Sequence, residues 1–176
     1  MQRVLVSYAS RFGSTREVAA RIGDTLRARG FVVTLRAVED GTPVDGYDAV
    51  VLGSGVYDGS WTTDATAFIR RQAPMLAQKP VWLFSVGSFG DQHPVIGGLM
   101  RKEPKEMGEF EEAVHPRDYR VFAGVIDLRH WPTWARLLFQ ALGGRDGDNR
   151  SWPDIEAWAD RIAQALDRKA TERSSQ

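Results

Sequence analysis

The sequence predicts an α/β protein, a doubly wound parallel sheet of five strands with helices on both faces. Three observations carry that expectation. Short apolar runs of strand length alternate with segments of helical spacing along the chain. Runs such as Val4-Leu5-Val6 and Val50-Val51-Leu52 are continuously apolar, as strands buried on both faces must be. Loops rich in glycine and hydroxyl residues follow the first, third and fourth runs, at the strand ends where such sheets bind ligands.

Arg3 to Tyr8 is the first expected strand, and it breaks at the polar loop Ala9-Ser10-Arg11-Phe12-Gly13-Ser14-Thr15. From Arg16 the period is helical, with Val18, Ile22 and Leu26 four apart on one face and Ala19 beside them. Ser14 or Thr15 can cap its start, and Gly30 stands where a left-handed residue would end it. Phe31 to Val38 alternates, as a second strand near a sheet edge would, and the turn cluster Asp40-Gly41-Thr42-Pro43 follows. Tyr47 to Ser54 is the third strand. Ala65, Phe68, Ile69 and Ala73 mark the next helix, which Lys79-Pro80 ends.

Val81 to Val86 is the fourth strand and Val121 to Ile126 the fifth. The segment Gly90 to Tyr119 between them exceeds the ~12–15 residues above which a plain connection is uncommon. Its stretch Glu103 to Glu112 reads as a solvated helix, and the segment could shape a substrate pocket or partner surface. His130 to Phe139 has amphipathic aromatic character; burial against the sheet is the first reading, a membrane interface the second. The last helix opens at Ser151-Trp152-Pro153-Asp154 and carries Ile155, Trp158, Ile162 and Leu166 at spacings of three and four. One domain is expected over residues 1–170, with a frayed tail over 171–176.

Composition narrows the chemistry. Lys plus Arg and Asp plus Glu both count 23 in 176 residues, a neutral balance that argues against a nucleic-acid binder and against a strongly acidic electron shuttle. There is no cysteine, which removes disulfides, thiolate catalysis, Fe–S clusters and cysteine-bound zinc. His93, His115 and His130 lack metal-ligand spacing, so no metal site is expected. No apolar run approaches the ~20 residues that cross a bilayer, and the start is too short for a signal peptide. Redox chemistry would have to come from an organic cofactor.

The loop Ser10, Arg11, Phe12, Gly13, Ser14, Thr15 runs straight into a helix. Its glycine lets amides turn inward, the helix end adds partial positive charge, and three hydroxyls add donors, so a phosphate dianion could be held without lysine. A capped helix start with turn residues is the plainer reading of the same loop. The Walker Gly-Lys-Ser/Thr pattern is absent, and the partial dinucleotide pattern at Gly53 to Asp58 lacks its third glycine. The second loop, Ser54, Gly55, Val56, Tyr57, Asp58, Gly59, continues to Ser60 and Trp61; the third comprises Ser85, Val86, Gly87, Ser88, Phe89 and Gly90. Glycines admit a planar heterocycle edge-on and aromatics stack on it, although each aromatic alone would more simply pack on a neighbouring helix.

At these residues the sequence resembles the flavodoxins. Ser10 to Thr15 looks like their FMN phosphate loop, [ST]-x-[ST]-G-x-[ST], with Phe12 where a hydroxyl residue is common. Gly13 to Glu17, Val51 to Val56, Phe84 to Val86, Phe122 to Gly124 and Gly143 to Asp146 resemble most the menaquinone-dependent protoporphyrinogen dehydrogenases. In those enzymes an arginine and a tyrosine occupy the second loop where Tyr57-Asp58 stands here. The resemblance implies a flavodoxin-like sheet in the order 2-1-3-4-5 and FMN as cofactor. Ser10, Gly13, Ser14 and Thr15 would hold its phosphate, with the flavin ring near Tyr57 and Phe89.

It further implies a cytoplasmic FMN oxidoreductase, at most peripheral to the inner membrane face, passing electrons from a protoporphyrinogen-like small molecule to a quinone-like acceptor. A homodimer is expected by fold-level analogy. No side chain stands out as an acid or base. The alternatives are a flavodoxin-type carrier, a deazaflavin-using protein, and a flavin-free binding module of the same fold.

Overall fold

The computed structural model describes residues 1–38, 43–87, 103–126, 133–141 and 147–174. Its elements are β1 (Arg3–Ala9), α1 (Ser14–Ala28), β2 (Val32–Ala37), β3 (Ala49–Tyr57), β4 (Ser60–Trp61), α2 (Thr63–Leu76) and β5 (Val81–Gly87). These are followed by α3 (Met107–Val114), β6 (Asp118–Ala123), β7 (Val125–Ile126), α4 (Thr133–Ala141), β8 (Gly147–Asp148) and α5 (Trp152–Ser174). Five strands run parallel in the order β2-β1-β3-β5-β6, which is the expected order 2-1-3-4-5 once the short β4 is set aside.

Strand alternation sends successive side chains into two cores. Val4, Val6, Val51, Trp82, Phe84 and Val86 meet α1 and α5, where Ile22, Leu26, Trp158 and Ile162 are buried. Leu5, Val50, Leu52 and Leu83 face the other way, against Phe68 and Ile69 of α2 and Phe110 of α3. Helix α1 ends as expected. Gly30 lies at φ 90°, its N–H donates to Arg27 O at 2.9 Å, and the Phe31 N–H reaches Leu26 O at 3.2 Å. β2 is an edge strand, which explains its half-buried side chains.

Three expectations are corrected. The fifth central strand is Asp118–Ala123 rather than Val121 to Ile126. Gly124 closes it, and Val125–Ile126 pairs antiparallel with Gly147–Asp148. The strand starts earlier than its apolar run because it is an edge, where polar residues such as Asp118 can stay wet. The stretch 103–112 is not a solvated helix: α3 buries Met107, Phe110 and Val114 against α2, and Glu109 pairs with Arg70 through two hydrogen bonds of 2.6 and 2.7 Å. On α4, Trp134 and Leu137 are exposed rather than buried on the sheet, since their i, i+3 spacing points both along one face that no described element covers. Among the described residues no helix is long and apolar enough to cross a membrane.

Candidate functional site

The ends of β1, β3 and β5 lie side by side, with Ala9 opposite Ser54 and Ser54 opposite Ser85. The strand ends that carry the three loops therefore lie together at one end of the sheet. In the first, Ser10 Oγ accepts the Gly13 N–H at 2.9 Å and folds the loop back on itself. Gly13 then takes φ 93°, a left-handed conformation that a Cβ would strain.

The helix begins at Ser14, and its first intrahelical bond runs from Glu17 N–H to Gly13 O at 3.1 Å. The amides of Ser14, Thr15 and Arg16 precede that ladder. Gly13, not Ser14 or Thr15, is the N-cap residue, and it has no side chain with which to cap them. The expected side-chain cap is thus corrected: the N-cap lies one position before Ser14, at Gly13, whose own N–H donates to Ser10 Oγ. Thr15 is buried, and its Oγ1 has no hydrogen-bond partner among the described residues. Open amides at a positive helix end beside an orphan hydroxyl suit an oxyanion with several acceptor oxygens.

The second loop is a hairpin that the sequence reading missed. β3 runs on to Tyr57, turns through Asp58 (φ 52°) and Gly59 (φ 74°), and returns as β4, pairing Val56 with Trp61 and Tyr57 with Ser60. Two successive positive φ angles in a two-residue loop are what Asp-Gly supplies, so the signal was present in Asp58-Gly59. Tyr57 lies back over Gly55, where a Cβ would stand 2.9 Å from its ring. Its ring also meets Phe12 edge-on at 6.0 Å, and the Arg11 guanidinium sits 4.7 Å from its centroid. Arg11, Phe12 and Tyr57 thus form one cationic and aromatic rim over the first two loops, with Phe12 86% exposed.

Other expected site residues turn inward. Ser54 Oγ accepts the Thr62 N–H at 3.1 Å and lies 3.2 Å from Thr62 Oγ1, which fixes the start of α2. Trp61 packs on Phe110 at 5.3 Å, and its indole N–H donates to Ser85 Oγ at 2.7 Å. Ser85 Oγ is also 2.7 Å from the Tyr119 hydroxyl. Val86 packs in the α1/α5 core, while Gly87 O accepts the Gly124 N–H at 2.7 Å. Ser88, Phe89 and Gly90 lie outside the described residues, as does Gly143 to Asp146.

Behind the first loop stands a cluster without any local signal in the sequence. Arg150 donates to Glu17 Oε2 at 2.6 Å and to both oxygens of Asp148, from Nε at 2.8 Å and Nη2 at 2.6 Å. Its side chain is only 7% exposed and lies 4.5 Å from the Trp152 ring. The hydrogen bonds from Arg150 hold the Asp148 carboxyl below the usual carboxylate range, against a smaller opposing effect of burial. Among the described residues no cluster of metal-ligating side chains occurs.

The family model for the flavodoxin domain matches residues 5–151. No curated protein sequence matches the chain. Among solved structures it is similar to the rubredoxin oxygen:oxidoreductase of Desulfovibrio gigas, with 17% identity and a TM-score of 0.64, covering 97% of this chain and 37% of that one. The chain therefore spans little more than a third of that protein. It is also similar to oxidised flavodoxin 2 from Bacillus cereus (20% identity, TM-score 0.58, 94% and 99% of the two chains). A flavodoxin from the domain Archaea gives 13% identity and a TM-score of 0.59 over 94% and 99% of the two chains. The chain belongs to the flavodoxin domain family, whose cofactor is FMN, and its first loop has the amides and the orphan hydroxyl that an FMN phosphate requires.

Proposed function

We propose that the protein is an FMN-dependent oxidoreductase that passes electrons from a reduced, protoporphyrinogen-like substrate to a quinone-type acceptor. Ser10, Gly13, Ser14 and Thr15 hold the phosphate, and the hairpin at Tyr57 to Gly59 flanks the ring system. When bound, the flavin supplies hydride acceptance and the return of electrons singly or in pairs. Each turnover moves two electrons and two protons from the substrate onto the quinone, giving the quinol.

The observation that supports an enzyme over an acidic shuttle is the rim. A formal net charge of zero is combined with Arg11 stacked on Tyr57 at the mouth of the site. A cation beside an exposed aromatic suits a planar, carboxylate-bearing substrate, whereas carriers of this fold rely on acidic surfaces to dock basic partners. The test is to load the purified protein with FMN, confirm its yellow absorbance, and follow porphyrinogen oxidation with menaquinone as acceptor. Turnover well above that of free FMN is expected. Turnover equal to free FMN, with rapid one-electron exchange to a redox protein, would make it a carrier instead.

A further inference from the structure

Arg150 is distant in sequence from the loops that begin at Ser10, Ser54 and Ser85, yet it is tied to the first turn of α1. Its Nη1 donates to Glu17 Oε2 at 2.6 Å, and Glu17 is the residue whose N–H opens the helical ladder at Gly13 O. A carboxylate and a phosphate compete for the same positive helix end, so a free Glu17 side chain would repel a dianion bound there. Asp148 adds a second carboxylate to the cluster. The guanidinium satisfies both and is pinned by the face of Trp152, whose ring also lies 4.8 Å from Arg21.

The segment carrying Arg150 is itself anchored to the site. Asn149 N–H donates to Gly124 O at 3.2 Å, and Gly124 N–H to Gly87 O at 2.7 Å at the end of β5. A Cβ on Gly124 would stand 3.7 Å from Ser14 Oγ, so this strand end abuts the helix start. Backbone and charge together run from the third loop, through residues 147–150, to the first.

We infer that Arg150 is a positioning residue for the phosphate site: it draws the Glu17 carboxylate aside and neutralises it, so that the amides of Ser14, Thr15 and Arg16 face a dianion without a competing negative charge. This rests on the reading of that loop as the FMN phosphate site. The effect belongs to the phosphate alone. Riboflavin, which has the same ring and no phosphate, separates it from any general damage to the fold.

The experiment measures FMN and riboflavin dissociation constants by flavin fluorescence for the unmodified protein and for R150M, R150K, E17Q and the E17Q/R150M pair. R150M is expected to weaken FMN about tenfold or more at low salt and riboflavin by less than about threefold, with the FMN defect shrinking as salt screens the charges. R150K recovers most of the affinity. E17Q, at a side chain 60% exposed, changes FMN affinity by less than about threefold because Arg150 already neutralises that carboxylate, and added to R150M it restores binding to within about threefold of the unmodified protein. Equal losses for both flavins, no loss in R150M, or an FMN defect in the E17Q/R150M pair as large as in R150M would overturn the inference while leaving the phosphate site intact. If the unmodified protein binds FMN no tighter than riboflavin, the phosphate reading itself fails and this inference falls with it.

Discussion

Phe84 lies across the backbone of Gly53, its ring filling the space that a side chain there would need. A Cβ on Gly53 would come within 2.0 Å of Phe84 Cζ. The ring is held in that place by Phe122 at 6.2 Å and Trp158 at 6.1 Å, which themselves meet at 5.6 Å. Gly53, inside β3, therefore serves the core beneath the site. Gly53→Ala is expected to destabilise the fold by about 3 kcal/mol, because neither the ring nor the central strand can move aside cheaply. Urea unfolding of the two proteins checks it, and a loss under about 1 kcal/mol would mean that the aromatic cluster repacks.

Thr15→Val should separate folding from binding. Valine keeps the shape and removes a buried hydroxyl without a partner, so stability should hold or rise by about 1 kcal/mol. FMN affinity should fall about tenfold, the loss of one hydrogen bond to a charged group. Chemical denaturation of the flavin-free protein and flavin titration give the two numbers. Matching losses in both would show the hydroxyl to be structural.

The hydroxyl of Ser85 is the acceptor for the buried Trp61 indole and lies against the Tyr119 hydroxyl. Ser85→Ala leaves the indole N–H without that acceptor and is expected to cost about 1–3 kcal/mol. Tyr119→Phe, which keeps the Trp61–Ser85 bond, should cost roughly 0.5–1.5 kcal/mol. A larger loss in Tyr119→Phe than in Ser85→Ala would make the Tyr119 hydroxyl, not the Ser85 one, the main support of the Trp61 indole.

Acid should loosen the cluster behind the first loop. The Arg150 hydrogen bonds lower the folded-state pKa of Asp148, so the unfolded chain binds its proton more readily. The stability this contributes is present above the ordinary carboxylate range near ~3.9 and is lost as pH falls through the depressed folded value. With the Asp148 side chain 46% exposed, solvent screening keeps the contribution small. Melting temperatures of the unmodified protein and of Asp148→Asn, followed from pH 7 downward, should converge at low pH. A gap that widens on acidification would contradict the sign.

The local parts of the site were legible because they are written in neighbouring residues. Gly13 between Ser10 and Thr15 announces a turned loop at a helix start, and the Asp58-Gly59 pair carries a hairpin signal. What could not be read is where each side chain ends up across elements. Ser85, expected in the cofactor site, and Trp61, at the end of the second loop, are buried partners of one another, since period-two alternation sends them to the α2/α3 face. Tyr57 and Phe12, far apart in sequence, meet at the rim.

By itself the sequence determined five strands alternating with helices and a Gly- and hydroxyl-rich loop after the first, third and fourth, because buried runs and helical periods are local properties of the chain. The strand order came from the resemblance to the flavodoxins. The tertiary structure decided which of those loop residues face the site, and it brought Arg150 to Glu17 across 133 positions. That pairing depends on how the last helix docks against the first, and no spacing within either segment encodes it.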